Sequence, residues 1–251
     1  MTDSVASDDR GYLYGDGLFE TVRVEEGRAR FLKRHKKRFE KSATILGFPE
    51  DTIGEVLAAL DGLAARGDGL WRVTATRPGK AVFGGGSGSI RLRNRPLPKA
   101  IEGPGIAVTV LDGFYFPGNR LAEHKTTSWI RSVEARRRAE RKNFDEAVLC
   151  SADGQIGEAA AANIFVRIGG GWVTPPVDGI LPGVVRAALL DEAKESGLHI
   201  EERPVYVGDF QTCESLALTS SGRLVTAVAA VDHQPLETAP VQELSTLLQE
   251  S

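Results

Sequence analysis

The chain has 251 residues, 41% hydrophobic and 26% charged, with a formal net charge of −3. Such a composition suits a soluble globular protein of one large or two modest domains, and carries no electrostatic footprint for nucleic acid or an anionic membrane. Two cysteines without CxxC spacing and four histidines without a paired spacing argue against a disulfide framework and against a metal site. The start "MTDSVASDDRG" has no apolar leader and no apolar run nears the ~18 residues of a membrane span, so a reducing, cytoplasmic home is expected.

In chain order, "LFETVRV" alternates and predicts a strand, with Gly27 in the turn after it. Phe31, His35, Phe39, Ala43 and Leu46 recur at three- and four-residue steps, which predicts an amphipathic helix. Asp51 is the expected cap of a second helix running to Gly67. "LWRVTATR" reads as a strand, "GGGSGS" as a loop and "IRLRNR" as a short strand. "PLPKAIEGPG", with three prolines and two glycines, is the best linker in the chain. The expected division is a small N-terminal α/β domain over 1–98, a linker over 99–104 and a large C-terminal domain over 105–251.

The second half mixes strands ("GIAVTVL", "EAVLC", "NIFVRI", "GWVTP", "SLALTS", "LVTAVAAV") with helices near 126–142, 183–196 and 240–249. Strands and helices do not alternate one for one. An α+β fold with a strongly curved, barrel-like sheet is therefore expected, not a doubly wound parallel one. The run Arg136, Arg137, Arg138, Arg141 and Lys142 alternates with Glu134 and Glu140 and reads as a solvated helix face.

Five features carry chemistry. Lys125, in "EHKTTSW", is one of nine lysines. It follows a strand-like run in a setting of small residues, where burial can free an amine to attack a carbonyl. In "GILPGVVRAALL", Pro182 and Gly183 open a helix and leave the N–H groups of Val184 and Val185 as unpaired donors, which suits a phosphate. Many helices that bind nothing start the same way. "LALTSSGR" ends a strand in hydroxyls and a flexible backbone, either a phosphate loop or a turn. Arg38 lies three residues after His35, beside the apolar stripe, where it either finds an anion or snorkels to water. Glu158 precedes four alanines and a strand. It is either a turn carboxylate or the partner of a ring nitrogen on a flat ligand.

The ordered set "DRGYLYGDGLFETVRV", "HKKRFEKSATILGF", "HKTTSW", "DEAVLCSADGQIGEAAAANIFV", "TPPVDGILPGVVRAALL" and "LTSSGRLVTAV" resembles the class IV (fold-type IV) pyridoxal phosphate enzymes. These are the branched-chain and D-amino-acid aminotransferases and aminodeoxychorismate lyase. The resemblance covers roughly residues 8 to 232. It implies Lys125 as the Schiff-base lysine and Glu158 as the acid on the pyridine nitrogen. It implies Arg38, the amides of Val184 and Val185, and Ser221 as the phosphate site. It also implies a homodimer, and no metal is needed. Relatives begin with a further strand of the "wvNGe" kind before "DRG", and often carry Asn-Tyr or Asn-Arg where this chain has Ser128 and Trp129. No Arg-x-His pair of the D-amino-acid type follows the "LWRVTATR" strand.

Arg72, Arg77 and Lys80 are candidates for a substrate carboxylate, each with surface ion pairing as the alternative. Tyr14 and Phe19 flank "GDG" and are expected to line the pocket. The expected activity is transfer of an amino group between an amino acid or primary amine and a 2-keto acid. Aminodeoxychorismate lyase is the alternative, and a degenerate binding protein the second alternative.

Overall fold

The computed structural model describes residues 4–81 and 84–248. The chain divides into two units. Unit one holds the described residues up to Pro98 together with His124–Trp129, and unit two holds Lys99–Glu123 with the described residues from Ile130 onward.

Unit one contains α1 (Arg10–Tyr14), β1 (Gly17–Glu25), β2 (Arg28–Ala29), α2 (Leu32–Ile45), α3 (Glu50–Asp61), β3 (Gly69–Thr76), β4 (Gly79–Ala81), β5 (Gly84–Gly86) and β6 (Ile90–Arg95). Its main sheet has the antiparallel order β2-β1-β3-β6. The period of two sorts the side chains by face. Leu18, Val22, Val24, Val73 and Ala75 pack on Phe39 and Ala43 of α2 and on Val56 and Leu60 of α3. By register, Phe19, Thr21, Arg72, Thr74, Arg93 and Arg95 share the opposite face.

Two local expectations change. α3 starts at Glu50 with Pro49 as its N-cap, and Asp51 lies inside the first turn, where its carboxylate accepts from Thr52 N at 2.7 Å. Pro49 has no N–H to lose and a φ already near helical, so it takes the boundary. The helix ends at Asp61, and a separate 3₁₀ turn, Ala64–Arg66, reaches Gly67 at φ 96°. The glycine-rich stretch read as a loop forms the hairpin of β4 and β5. Ser4, Asp8 and Asp9 hydrogen-bond to Arg91, Ser87 and Ser89, so the N-terminal residues run beside the start of β6.

The segment His124–Trp129 belongs to unit one because its backbone is paired with β1. Phe19 N donates to Lys125 O at 2.9 Å, Thr127 N donates to Gly17 O at 2.8 Å, and Leu18 and Thr126 form an antiparallel bridge. The expected division assigned Lys125 to the C-terminal part. These hydrogen bonds are why the structure groups it with the N-terminal sheet.

Unit two contains β7 (Ile106–Leu111), α4 (Ile130–Arg141), β8 (Glu146–Cys150), β9 (Gln155–Ala159), β10 (Asn163–Ile168), β11 (Gly171–Thr174), α5 (Val184–Ser196), β12 (Ile200–Glu202), β13 (Val205–Tyr206), β14 (Ser215–Ser220), β15 (Leu224–Val231), β16 (Gln234–Pro235) and α6 (Val241–Leu247). One mixed sheet runs β12-β11-β10-β14-β15-β7-β8-β9-β13, with β16 on β15. Only Arg203 and Pro204 separate the two end strands, β12 and β13. The sheet must therefore roll until its ends meet, as a barrel does. A single cluster that includes Val108, Val148, Ile156, Ile164, Val173, Val205, Leu216 and Val228 fills its interior. Among the described residues no helix is long and apolar enough to cross a membrane.

Gly157 in β9 lies against the ring of Tyr115. A Cβ there would stand 2.5 Å from Tyr115 Cδ2, and the ring is pinned by its hydroxyl donating to Asp178 O at 2.8 Å. Gly157→Ala should therefore cost about 1–3 kcal/mol, the usual range for overpacking. Chemical denaturation checks this, and an unchanged midpoint would mean that Tyr115 gives way.

Candidate active site

In unit one, the alternation of β1 puts Glu20 on the helix-packed face among Leu18, Val22 and Val24, where a bare carboxylate is costly. α2 answers with two residues one turn apart. Arg38 Nε and Nη2 donate to Glu20 Oε1 and Oε2 at 2.8 and 2.6 Å, and His35 Nδ1 stands 2.7 Å from Oε2. Burial raises the proton affinity of Glu20, but Arg38 and His35 together outweigh it and set its pKa at about 2. Burial also depresses the His35 pKa, against the upward pull of Glu20. His35 is thus neutral and donates through Nδ1 to an acceptor-only carboxylate. Its Nε2 is buried with no hydrogen-bond partner among the described residues. Glu20 also answers the question of which anion Arg38 needs. The trio has no net charge, so Arg38 offers directed N–H groups more than field.

Lys125 sits on the other face of β1. Its Nζ lies 4.6 Å from the ring centre of Phe19 and 5.3 Å from that of Trp129, and the two rings meet edge to face at 5.3 Å. Trp129 therefore supplies an aromatic wall where a hydroxyl was expected in relatives. The Arg72 guanidinium lies 3.5 Å over the same Phe19 ring, held by Nε donating to Thr74 Oγ1 at 3.1 Å. Burial, then the charges of Arg95 and Arg93, push its pKa down. Among the described residues, Arg72, Arg93 and Arg95 make no ion pair. Arg77, by contrast, is committed to Asp16 at 2.6 Å and to the carbonyl of Leu46, and Arg10 joins it on Asp16. Tyr14, at the end of α1, is exposed and stacked on Arg10, whereas Phe19 is buried beside Lys125. The Lys80 side chain lies outside the described residues.

In unit two, Glu158 is part of β9 and not of a turn, and only 7% exposed. Its Oε1 accepts from Arg131 Nη2 at 2.8 Å and its Oε2 from Leu181 N at 3.1 Å. α5 starts at Val184 behind Gly183, with no side-chain cap on its first N–H groups. Gly183 is required there, since a Cβ would stand 1.8 Å from Asn163 Oδ1. Asn163 Nδ2 in turn donates to Leu181 O at 2.9 Å. Thr219 lies opposite Asn163 across β10 and β14, and its Oγ1 is buried without a partner among the described residues. Ser221 follows in the turn to β15.

A lysine amine against aromatic rings, a buried carboxylate, and a glycine-opened helix start near an orphaned hydroxyl fit the amine, pyridine and phosphate chemistry of a pyridoxal phosphate enzyme. The comparisons agree. The chain belongs to the amino-transferase class IV family, whose model matches residues 17–231, the family of pyridoxal phosphate enzymes that its motifs resemble. It is 30% identical, over 96% of its length and 88% of the other's, to a protein described as a branched-chain-amino-acid aminotransferase in Methanocaldococcus jannaschii. It is 26% identical, over 95% of this chain and 89% of the other, to the bifunctional aminodeoxychorismate lyase / D-amino acid transaminase of Mycobacterium tuberculosis. A hypothetical aminotransferase from M. tuberculosis in its PLP-bound form shares the fold, with a TM-score of 0.85 at 24% identity, covering 99% of this chain and 93% of that one.

The Glu20 trio makes stability pH-dependent. Glu20 contributes fully above the ordinary carboxylate value of 4.5, and the contribution is lost as pH falls toward about 2. His35, with its pKa lowered from 6.5, adds a loss that starts as pH drops below 6.5, because the unfolded chain then binds a proton that the folded one refuses. Denaturant midpoints measured from pH 7 down to pH 3 should fall throughout. Glu20→Gln should cost about 3–5 kcal/mol at pH 7, because it strands Arg38. A midpoint that rises between pH 7 and 5 in the parent protein would show that His35 is charged in the fold, and a flat one that its pKa is the same folded and unfolded.

Proposed function

We propose that Lys125 is the residue to which the cofactor attaches, and that Glu158, Arg38, Val184, Val185 and Ser221 are its other ligands. The chain is a class IV aminotransferase, and this reading adds the residues and the kind of substrate. When bound, pyridoxal phosphate supplies an electron sink conjugated to the substrate's α-carbon. The protein does the rest. Glu158 holds a proton at the ring nitrogen. The amides of Val184 and Val185, the Ser221 hydroxyl and the N–H groups of Arg38 hold the phosphate. The Lys125 amine, once displaced by the substrate amine, carries the proton to and from the α-carbon.

The observation that carries the reading is the shared ring. Lys125 Nζ and the Arg72 guanidinium both lie over Phe19, at 4.6 and 3.5 Å. An amine-handling group and a carboxylate-binding group one phenyl ring apart suit a substrate that bears both functions. Phe19 puts an apolar ring against both groups, which lowers the local polarity and strengthens each electrostatic contact. Arg93 and Arg95 add positive field beside Arg72, which favours a substrate or acceptor with a second anionic group. A dicarboxylic 2-keto acid has that form. So does aminodeoxychorismate, and this observation keeps the lyase as the second reading.

Exposed apolar side chains in unit two, Leu121 at 66% and Ile130 at 77% with Phe116 and Val133, support a homodimer. Two buried free cysteines, Cys150 and Cys213, support a reducing, cytoplasmic setting.

Lys125→Ala should abolish turnover and the visible absorption that borohydride removes from the parent holoenzyme. Retained activity in that variant would overturn the assignment. Arg72→Leu should raise KM for the keto acid roughly 10–100-fold, the range expected for a lost charge-assisted contact. Pyruvate release from aminodeoxychorismate supplied alone marks the lyase, whereas conversion of the cofactor to its amine form by an amino acid marks the transaminase.

A further inference from the structure

The ion pair on Glu158 has a part in the chemistry beyond packing. Arg131, in the first turn of α4, donates from Nη2 to Glu158 Oε1 at 2.8 Å and from Nη1 to Phe114 O at 3.1 Å. The guanidinium is thus fixed at two points, and the carboxylate is fixed at a second point by Leu181 N on Oε2. The side chains of Arg131 and Glu158 are 27% and 10% exposed, so the pair is largely withdrawn from water. The Tyr115 phenol also feels Glu158. Burial first, then Asp178 and Glu158, push its pKa up to about 12, so it keeps its proton in the working range.

A carboxylate that faces only a pyridinium in a poorly solvated place has an escape. The proton can pass from the ring to the carboxylate, leaving two neutral groups that cost less to bury. Arg131 closes that route. A guanidinium does not give up its proton in a protein, so protonating Glu158 would leave Arg131 as an uncompensated, half-buried cation. The positive charge also repels a pyridinium, but it does so across the width of the carboxylate, whereas its attraction to Glu158 acts at contact. The contact wins.

We propose that Arg131 is a positioning residue of the transamination, one that keeps Glu158 ionised and oriented so that the shared proton stays on the ring nitrogen. This rests on Glu158 being the partner of that nitrogen. The consequence is on the rate, because an unprotonated ring is the poorer electron sink. Each unit by which the ring-nitrogen pKa falls is about tenfold in its ratio of protonated to free form.

The test uses holoenzyme reconstituted with cofactor labelled with ¹⁵N in the ring, whose nitrogen resonance separates the protonated from the free pyridine. The parent protein should show a protonated ring from pH 6 to pH 8. Arg131→Gln should move the resonance toward the free form and lower kcat at least about tenfold, with KM for the keto acid nearly unchanged. Arg131→Lys keeps the charge and should restore much of the protonated signal, which a merely structural role would not predict. It also serves as the comparison if the glutamine variant folds poorly. A ¹⁵N signal in both variants identical to the parent's would overturn the proposal. If Glu158→Gln itself left the parent signal unchanged, the assignment of Glu158 would fall first, and the two failures are distinct.

Discussion

Two backbone hydrogen bonds place the catalytic candidate. Phe19 donates to the carbonyl of Lys125 and Thr127 to that of Gly17, so a six-residue segment from far along the chain becomes a neighbour of β1. Everything described around Lys125 follows from that pairing. It sets the amine over Phe19, brings Trp129 edge-on to the same ring, and leaves Arg72 on the same face of the sheet through the β1–β3 register. His124 adds a tether, with Nδ1 3.0 Å from Ser42 Oγ on α2.

The buried carboxylates are matched in both units. Glu20 has Arg38, Asp16 has Arg10 and Arg77, Glu146 has Arg136 and Glu158 has Arg131, whereas Asp9 is held by the hydroxyls of Thr76 and Ser89 and the N–H groups of Gly11 and Tyr12. Removing one member of such a pair costs about 3–5 kcal/mol because the other is left uncompensated, although the intact pair adds little net stability. The pairs therefore define geometry more than they stabilise the fold. Against this background Arg72 stands out. Among the described residues it has like charge beside it and is supported by Thr74 and an aromatic ring, an arrangement that is favourable when an anion arrives.

Much of this was legible in the sequence, for identifiable reasons. β1 and α2 show clean periods, the longer strands of unit two read as short apolar runs, and the apolar stripe through His35 and Phe39 is the buried face of α2. Lys125, Glu158 and the Val184–Val185 helix start came from ordered motifs. Strands of two or three residues, such as β12, β13 and β16, carry too few positions for a period to emerge. The role of Glu20 was missed although a signal existed: it occupies an inward position of the alternating "LFETVRV", and Arg38 follows one helical turn after His35. Arg131 left no such signal, since its partner lies 27 residues away and only the folded chain joins them. Thr219 and Asn163 meet through strand register, which composition does not encode.

The discontinuity of unit one has a consequence for the order of events on the ribosome. Residues up to Pro98 emerge first, yet the piece of unit one that carries Lys125 is synthesised only after Lys99–Glu123. The sequence of the N-terminal sheet, with Phe19, Arg72 and Glu20, is therefore complete before Lys125 is made. A chain cut at the linker would lose Lys125 and, with it, the backbone pairing of His124–Trp129 to β1, so unit one is completed only by residues made after the linker.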